Sequence, residues 1–193
     1  MSSPRCILSA LVLGAVVATP TSAQRPVAPS ATRPTQVLDP VRTTTSLRNA
    51  RADTLEARAT ALLRGNDGWR MAARVQRQAA ELRGDDPRAV ESFTRAAWMY
   101  SGAGRLGLAR EMMERAAERA AMGGDVEKAA GAFLDAALIA IEADREDLVP
   151  GLVRRTRRLI DSPVLPPERR GVLLQRIDGV PVLAQHWRRA TGN

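Results

Sequence analysis

Few residues of this chain have the types and spacing that catalysis or metal binding requires. The sequence holds one histidine, His186, and one cysteine, Cys6, which precedes an apolar run. A zinc site needs several such ligands, and a Ser-His-Asp triad would have to use His186 without a nucleophile-elbow motif. The acidic residues from Glu142 to Asp147 lack the spacing of a calcium loop, and helix capping explains them. No glycine-rich phosphate loop is present, so we predict a protein that is not an enzyme and has no cofactor or metal.

The densest group of charges is a run of arginines. Arg154, Arg157 and Arg158 lie three and four residues apart, which places them on one side of a helix. Such a group can bind phosphate or an anionic envelope surface, whereas most basic helix faces are simply solvated. Because only 3% of the residues are aromatic, we predict no binding of nucleic acid.

The elements that carry these residues are predicted to be repeated. Residues 85–108 and 125–148 match at a spacing of about 40 residues, and the shared positions include Asp85 and Asp125, Ala89 and Ala129, Phe93 and Phe133, and Ala97 and Ala137. The small and apolar matches lie three or four residues apart, as on one face of a helix. A weaker copy upstream matches Ala72, Ala79 and Ala80 to Ala109, Ala116 and Ala117. A single helical hairpin cannot bury its own apolar face, so the pattern predicts a stacked array.

The middle copy resembles a tetratricopeptide (TPR) repeat. The residues that carry the likeness are Phe93, Ala96, Ala97 and Tyr100 in its first helix, Gly104 in the turn, and Ala109, Met113 and Ala116 in its second helix. The resemblance implies an all-α fold, a right-handed array of antiparallel helix hairpins (a TPR-like α-solenoid of about three repeats) with a C-terminal capping helix. An ordinary irregular helical bundle is the alternative.

The resemblance also implies a binding surface, because the first helix of each TPR repeat lines a concave face that grips peptides. Carried onto this sequence, that register gives an apolar strip of Trp98, Leu134, Leu138 and Ile141. We predict that this strip binds a partner segment, or else that it is core, covered by the first helix or the tail.

The predicted function is therefore an exported adaptor or scaffold that binds an unknown protein or peptide in its groove. The alternative is a protein that binds an anionic polymer or lipid surface of the envelope through Arg154, Arg157 and Arg158. An array this short could also stack its open end on a second copy and form a homodimer.

The segments before the array predict export. Residues 1–23 have the pattern of a signal peptide, with Arg5, an apolar run from Ile7 to Ala18, and a small-residue site ending at Ala23. We expect cleavage after Ala23 and a periplasmic or secreted protein, and an uncleaved anchor is the alternative. Residues 24–45 are rich in Pro, Ser and Thr and predict a disordered linker.

Residues 46–160 are predicted to hold the repeats, with Ser46 as the first N-cap. Later N-caps are predicted at Asp85 or Asp86 and at Asp125, and the last repeat helix is predicted to start near Asp147, which can cap it. Residues 161–193 are predicted to form the cap. In this cap we expect a helix from Glu168 to Ile177, a turn at residues 178–181 and a final helical turn or two. The residues expected to face inward are Leu173, Leu174, Leu183 and Trp187.

Overall fold

The computed structural model describes residues 40–64 and 68–191. In this part of the chain the elements are α1 (Pro40–Leu62), α2 (Gly68–Arg83), α3 (Arg88–Gly102), α4 (Leu106–Met122), α5 (Val126–Glu142), a short 3-10 helix (Glu146–Leu148), α6 (Val149–Ile160) and α7 (Pro167–Thr191). The described residues contain no strand, which confirms the all-α prediction. The predicted signal peptide and residues 24–39 of the predicted linker lie outside the described residues.

The helices stack in the order of the sequence. Each helix from α1 to α6 packs mainly on the helices before and after it, and α7 packs on α5 and, less extensively, on α6. The arrangement is a solenoid of three hairpins (α1–α2, α3–α4 and α5–α6) followed by one capping helix. Among the described residues, no helix is both long and apolar enough to cross a bilayer.

Alanines hold the helices close together. Ala97 and Ala109 are fully buried, and their methyl side chains let two helix axes approach closely. The larger Phe93, Tyr100 and Met113 are buried in the same core cluster. These are the positions at which the repeat pattern required small and large residues.

The helix ends recur with the repeat. Gly84, Gly104 and Gly124 have positive φ values of 57°, 67° and 78°, and Asp144 has a φ of 55°. After the last three, the next residue donates its N–H to the carbonyl five positions back, for instance Arg105 to Tyr100 at 2.8 Å. This is the hydrogen bond of a helix that ends in a left-handed residue. The local chemistry of each turn therefore sets where one helix stops.

Side chains cap the helices that follow two of these turns. The Asp125 carboxylate accepts the N–H of Lys128 at 3.1 Å, and Asp86 accepts the N–H of Arg88 at 2.9 Å. Both caps were predicted from the sequence. The predicted cap at Asp147 is wrong, because its carboxylate pairs with the Arg145 guanidinium at 3.0 Å and α6 begins only at Val149.

The first helix begins at Pro40 rather than at Ser46, so the predicted linker is helical over residues 40–45. Proline fits the first turn of a helix, where its missing N–H leaves no hydrogen bond unmade. Asn49 of α1 donates from Nδ2 to Asp86 Oδ2 at 2.8 Å, which ties this helix to the α2–α3 turn.

The capping helix continues through Pro181, so the predicted turn at residues 178–181 is wrong. Leu173, Ile177, Val180 and Ala184 lie three or four residues apart and are all buried on one side of α7. Burial of a large apolar side chain contributes about 1.5–3 kcal/mol, so three of them outweigh the cost of about 3 kcal/mol for an interior proline. The same register leaves Leu174 and Leu183 exposed, against prediction, while Leu173 is buried and Trp187 packs against the core as predicted.

Candidate partner-binding surface

A groove runs between the first helices of the second and third hairpins. One part of it, of about 360 Å³, is lined by Val90, Glu91, Thr94 and Arg95 of α3, Met113 of α4, and Lys128, Gly131, Ala132 and Asp135 of α5. A second depression of about 410 Å³, between the α2–α3 and α4–α5 turns, shares Val90 and Lys128 with it. We call the two together the α3–α5 groove. Its floor is made of small and apolar side chains.

The charges along the walls of the α3–α5 groove are paired with one another. Lys128 Nζ lies 3.0 Å from Asp125 Oδ2, and Arg95 Nη2 lies 3.8 Å from Glu91 Oε2. Hydrogen bonding to Asp125 raises the pKa of Lys128 above its ordinary value. Because these charges already neutralise each other, the groove offers a partner its apolar floor more than a net charge.

The cap helix reaches into this groove. Arg176 of α7 extends its guanidinium to Asp135 Oδ1 at 2.7 Å, and Arg176 Nη1 lies 3.8 Å from the point where Gly131 would carry a Cβ. Burial raises the pKa of Asp135, and the charge and hydrogen bond of Arg176 lower it; the net pKa lies above the ordinary value. The ion pair therefore compensates only part of the cost of burying this carboxylate.

The structure divides the predicted apolar strip into two parts. Trp98 is 58% exposed and lies one helical turn beyond the groove-lining Thr94 on α3. The equivalent position on α5 is the partly buried Leu138. Leu134 and Ile141 are only 1% and 4% exposed, because α7 packs over them where the first helix of a further hairpin would lie. At these two positions an open binding strip is therefore wrong, and the structure agrees with the alternative, core covered by the tail.

A second tryptophan borders the Trp98 end of α3, and sequence reasoning missed it. The indole of Trp69 lies over Gly102, where an added Cβ would come within 2.7 Å of Trp69 Cε3. Gly102 is one turn beyond Trp98 on the same helix, so the two partly exposed indoles flank one edge of α3. The available signal is a glycine inside the last turn of a helix, where the missing side chain allows another group to approach the backbone closely.

The predicted arginine cluster is present on the outer side of α6. Arg154, Arg157 and Arg158 are exposed, and within the described part of the chain none has a carboxylate at ion-pair distance. Their neighbour Arg155 points elsewhere, with Nη1 3.5 Å from Glu118 Oε1 and the guanidinium 5.5 Å above the Phe133 ring. The structure thus brings the three predicted side chains to one free surface.

A buried ionic network joins α1, α2 and α3, and no local sequence pattern pointed to it. The Arg83 side chain is 2% exposed, with Nη2 2.6 Å from Asp53 Oδ1 and 3.1 Å from Glu56 Oε2, and its Nε donates to Ser92 Oγ at 3.0 Å. Burial raises the pKa of Glu56, but hydrogen bonds from Arg83 and Ser92 outweigh it and hold the pKa below its ordinary value. We assign this network to stability, because Glu56 is fully engaged by its neighbours.

The described residues include no group of three or more His, Cys, Asp or Glu side chains that could hold a metal ion. Stacked helix hairpins with a groove along their first helices define a helical repeat protein. Residues 34–144 match the model of the family described as soluble NSF attachment protein, SNAP, and because this match spans more than half of the chain, the chain belongs to that family.

The SNAP family consists of helical adaptors for protein–protein interaction, which agrees with the predicted helical repeats and with a binding role. The match includes α1 to α5 and ends in the turn after α5, so α6 and α7 lie beyond it. No curated protein and no solved structure matches the chain.

Proposed function

We propose that the protein is a non-catalytic adaptor that binds a segment of a partner protein in the α3–α5 groove. The observation that carries this proposal is the exposed indole of Trp98, one helical turn beyond the groove-lining Thr94, together with an apolar groove floor. Exposed aromatic side chains next to apolar depressions are the usual anchors of protein interfaces. Membership of a family of protein-interaction adaptors supports the same function.

The chemistry of the groove limits the kind of segment that fits. Its wall charges are already paired, so a highly charged segment would gain little and would lose its own hydration. A segment with apolar side chains could cover Val90, Ala132 and the Trp98 indole. We therefore propose a partner segment that is apolar on one side, in an extended or helical conformation.

The test is site-specific photo-crosslinking in the envelope fraction of cells that make the full chain. A photoreactive residue at Thr94 lies in the groove wall, and one at Gln78 lies exposed on α2, outside the groove lining. We expect a discrete crosslinked protein from position 94 that is lost on Trp98→Ala and kept on Val164→Ala, which trims another exposed apolar side chain. Equal crosslinking from both positions would contradict binding in the groove, and so would a crosslinked product that persists unchanged on Trp98→Ala.

We also propose that the adaptor works outside the cytoplasm, in the periplasm or beyond it. The support is the sequence of residues 1–23, with a basic start, an apolar run and small residues up to Ala23. Mass spectrometry of the protein from the periplasmic fraction should give a chain that begins at Gln24. A full-length chain in the cytoplasmic fraction would refute export.

A second candidate function is adhesion to an anionic polymer or lipid surface through Arg154, Arg157 and Arg158. The observation that favours it is that all three are exposed without an ion-pair partner in the part of the chain that the structure describes. Sedimentation with anionic vesicles should then fall steeply with salt and be lost when all three arginines become Gln. The matched control changes Arg58, Arg70 and Arg74 to Gln, since it removes the same charge from exposed positions on α1 and α2. Equal loss in both variants would show a non-specific charge effect.

A further inference from the structure

A separate cleft opens between α6 and the cap helix. It has a volume of about 480 Å³, which falls in the range of small-molecule sites. Its apolar walls are formed by Val149, Pro150, Val153, Ile177, Val180, Pro181 and Ala184. The cleft exists because α7 packs mainly on α5 and meets α6 less extensively. It shares no lining residue with the α3–α5 groove, so the two sites can be tested independently.

The charges at the two ends of this cleft differ. At one end Arg188 Nε lies 3.3 Å from Glu146 Oε1, and the pair neutralises itself. The remaining charged residues in the lining are Arg157 and Asp178. Neither has an ion-pair partner within the described residues, so one cation and one anion remain available.

These two free charges lie at the same end of the cleft. The Glu146–Arg188 pair joins the start of the α6 segment to the end of α7, so the two run antiparallel along the cleft. The distance along the helix from Glu146 to Arg157 is about 15 Å. The distance along α7 from Arg188 back to Asp178 is also about 15 Å. The cleft therefore combines an apolar channel, a closed ion pair at one end, and an unpaired cation and anion at the other.

We propose that the α6–α7 cleft binds a zwitterionic amphiphile, such as a phospholipid with an amine or choline headgroup. The acyl chain would lie on Val153, Ile177 and Val180. The phosphate would accept hydrogen bonds from the Arg157 guanidinium, and the ammonium would lie beside the Asp178 carboxylate. A purely anionic amphiphile would satisfy Arg157 but would be repelled by Asp178, which is why a zwitterion fits this end better.

The experiment is calorimetric titration of the full chain with three dodecyl compounds below their micelle concentrations. We expect dodecylphosphocholine to bind about tenfold more tightly than dodecyl phosphate or dodecyltrimethylammonium, as for one additional charge-assisted contact. Asp178→Asn should make the affinity for dodecylphosphocholine equal to that for dodecyl phosphate. Arg157→Gln should make the affinity for dodecylphosphocholine equal to that for dodecyltrimethylammonium.

The matched control is Arg189→Gln, which removes the same charge from an exposed position on α7 that lies outside the cleft lining. It should leave all three affinities unchanged. Equal affinity for the three compounds, equal effects of Arg189→Gln and Arg157→Gln, or no binding would each overturn the proposal. So would a dimer that dissociates on Arg157→Gln without lipid binding, because a second copy would then be the occupant.

Discussion

Removal of the Glu56 carboxylate should destabilise the protein far more than removal of an exposed one. Arg83 is almost fully buried, and of its two counter-ions Asp53 is 54% exposed whereas Glu56 is 17% exposed. Glu56→Gln keeps the shape of the side chain but leaves the guanidinium with the solvent-screened Asp53 alone. Breaking a buried pair costs about 3–5 kcal/mol, and because Asp53 retains part of the interaction we expect a loss of about 2 kcal/mol.

Urea unfolding followed by far-UV circular dichroism measures this loss, and thermal unfolding should show a decrease in Tm of roughly 4–8 °C. The matched control is Glu118→Gln, which removes a carboxylate that is 57% exposed and pairs with Arg155 at 3.5 Å. Exposed ion pairs contribute little, so this variant should lie within about 0.5 kcal/mol of the parent chain. An equally small change in the free energy of unfolding for Glu56→Gln would refute the claim that Glu56 stabilises the buried Arg83.

Two further measurements separate charge from packing. Replacing both partners, with Glu56→Leu and Arg83→Met, should recover most of the lost stability, because no unpaired charge is then buried. The second measurement is the pH dependence. The pKa of Glu56 in the folded protein lies below its ordinary value of 4.5. The stabilisation that ionised Glu56 contributes is therefore complete above pH 4.5 and is lost as the pH falls through the pKa of the folded protein. Glu56→Gln should remove this part of the acid sensitivity.

Three other changes have outcomes that the structure fixes. Asp144→Gly should raise the free energy of unfolding by about 0.5 kcal/mol, because glycine adopts a positive φ at little cost. Gly104→Ala should lower the free energy of unfolding by about 1 kcal/mol, because alanine adopts a positive φ only with strain. Urea unfolding measures both changes. Asp135→Asn should not destabilise the protein at pH 7. The pKa of Asp135 is raised in the folded protein, so its ionised carboxylate lowers the free energy of unfolding at pH values above its ordinary pKa. A loss of more than about 1 kcal/mol in the free energy of unfolding would contradict this. Gly102→Ala should displace the Trp69 indole, seen as a red shift of the tryptophan fluorescence relative to the parent chain.

The sequence was sufficient to predict structural features that depend on residues close together in the chain. The spacing of Phe93, Ala97 and Ala109 revealed the helix faces, and Asp125 followed by a helix revealed its cap. Each of these features depends on contacts within one hairpin, where the 3.6-residue period determines which side chains meet.

Structural features that depend on elements distant in the chain could not be predicted from the local sequence. The register placed Leu134 on a helix face, but only the packing of α7 determines that this face is covered. Likewise Arg83 meets Asp53 and Ser92 on two other helices, and nothing in its own neighbourhood distinguishes it from an exposed arginine. The continuous α7 is a third case, because tertiary burial on one side outweighs the local preference of Pro181 to end a helix.

The left-handed residues that end the helices recur at positions 84, 104, 124 and 144, so successive helices meet about 20 residues apart along the chain. Such low contact order predicts rapid folding and an array that can open one helix at a time from an end. The two ends are not equivalent, because α1 packs mainly on α2, whereas α7 contacts both α5 and α6. Amide hydrogens of α5 and α6 should therefore exchange more slowly than those of α1, and opening should begin at the N-terminal hairpin.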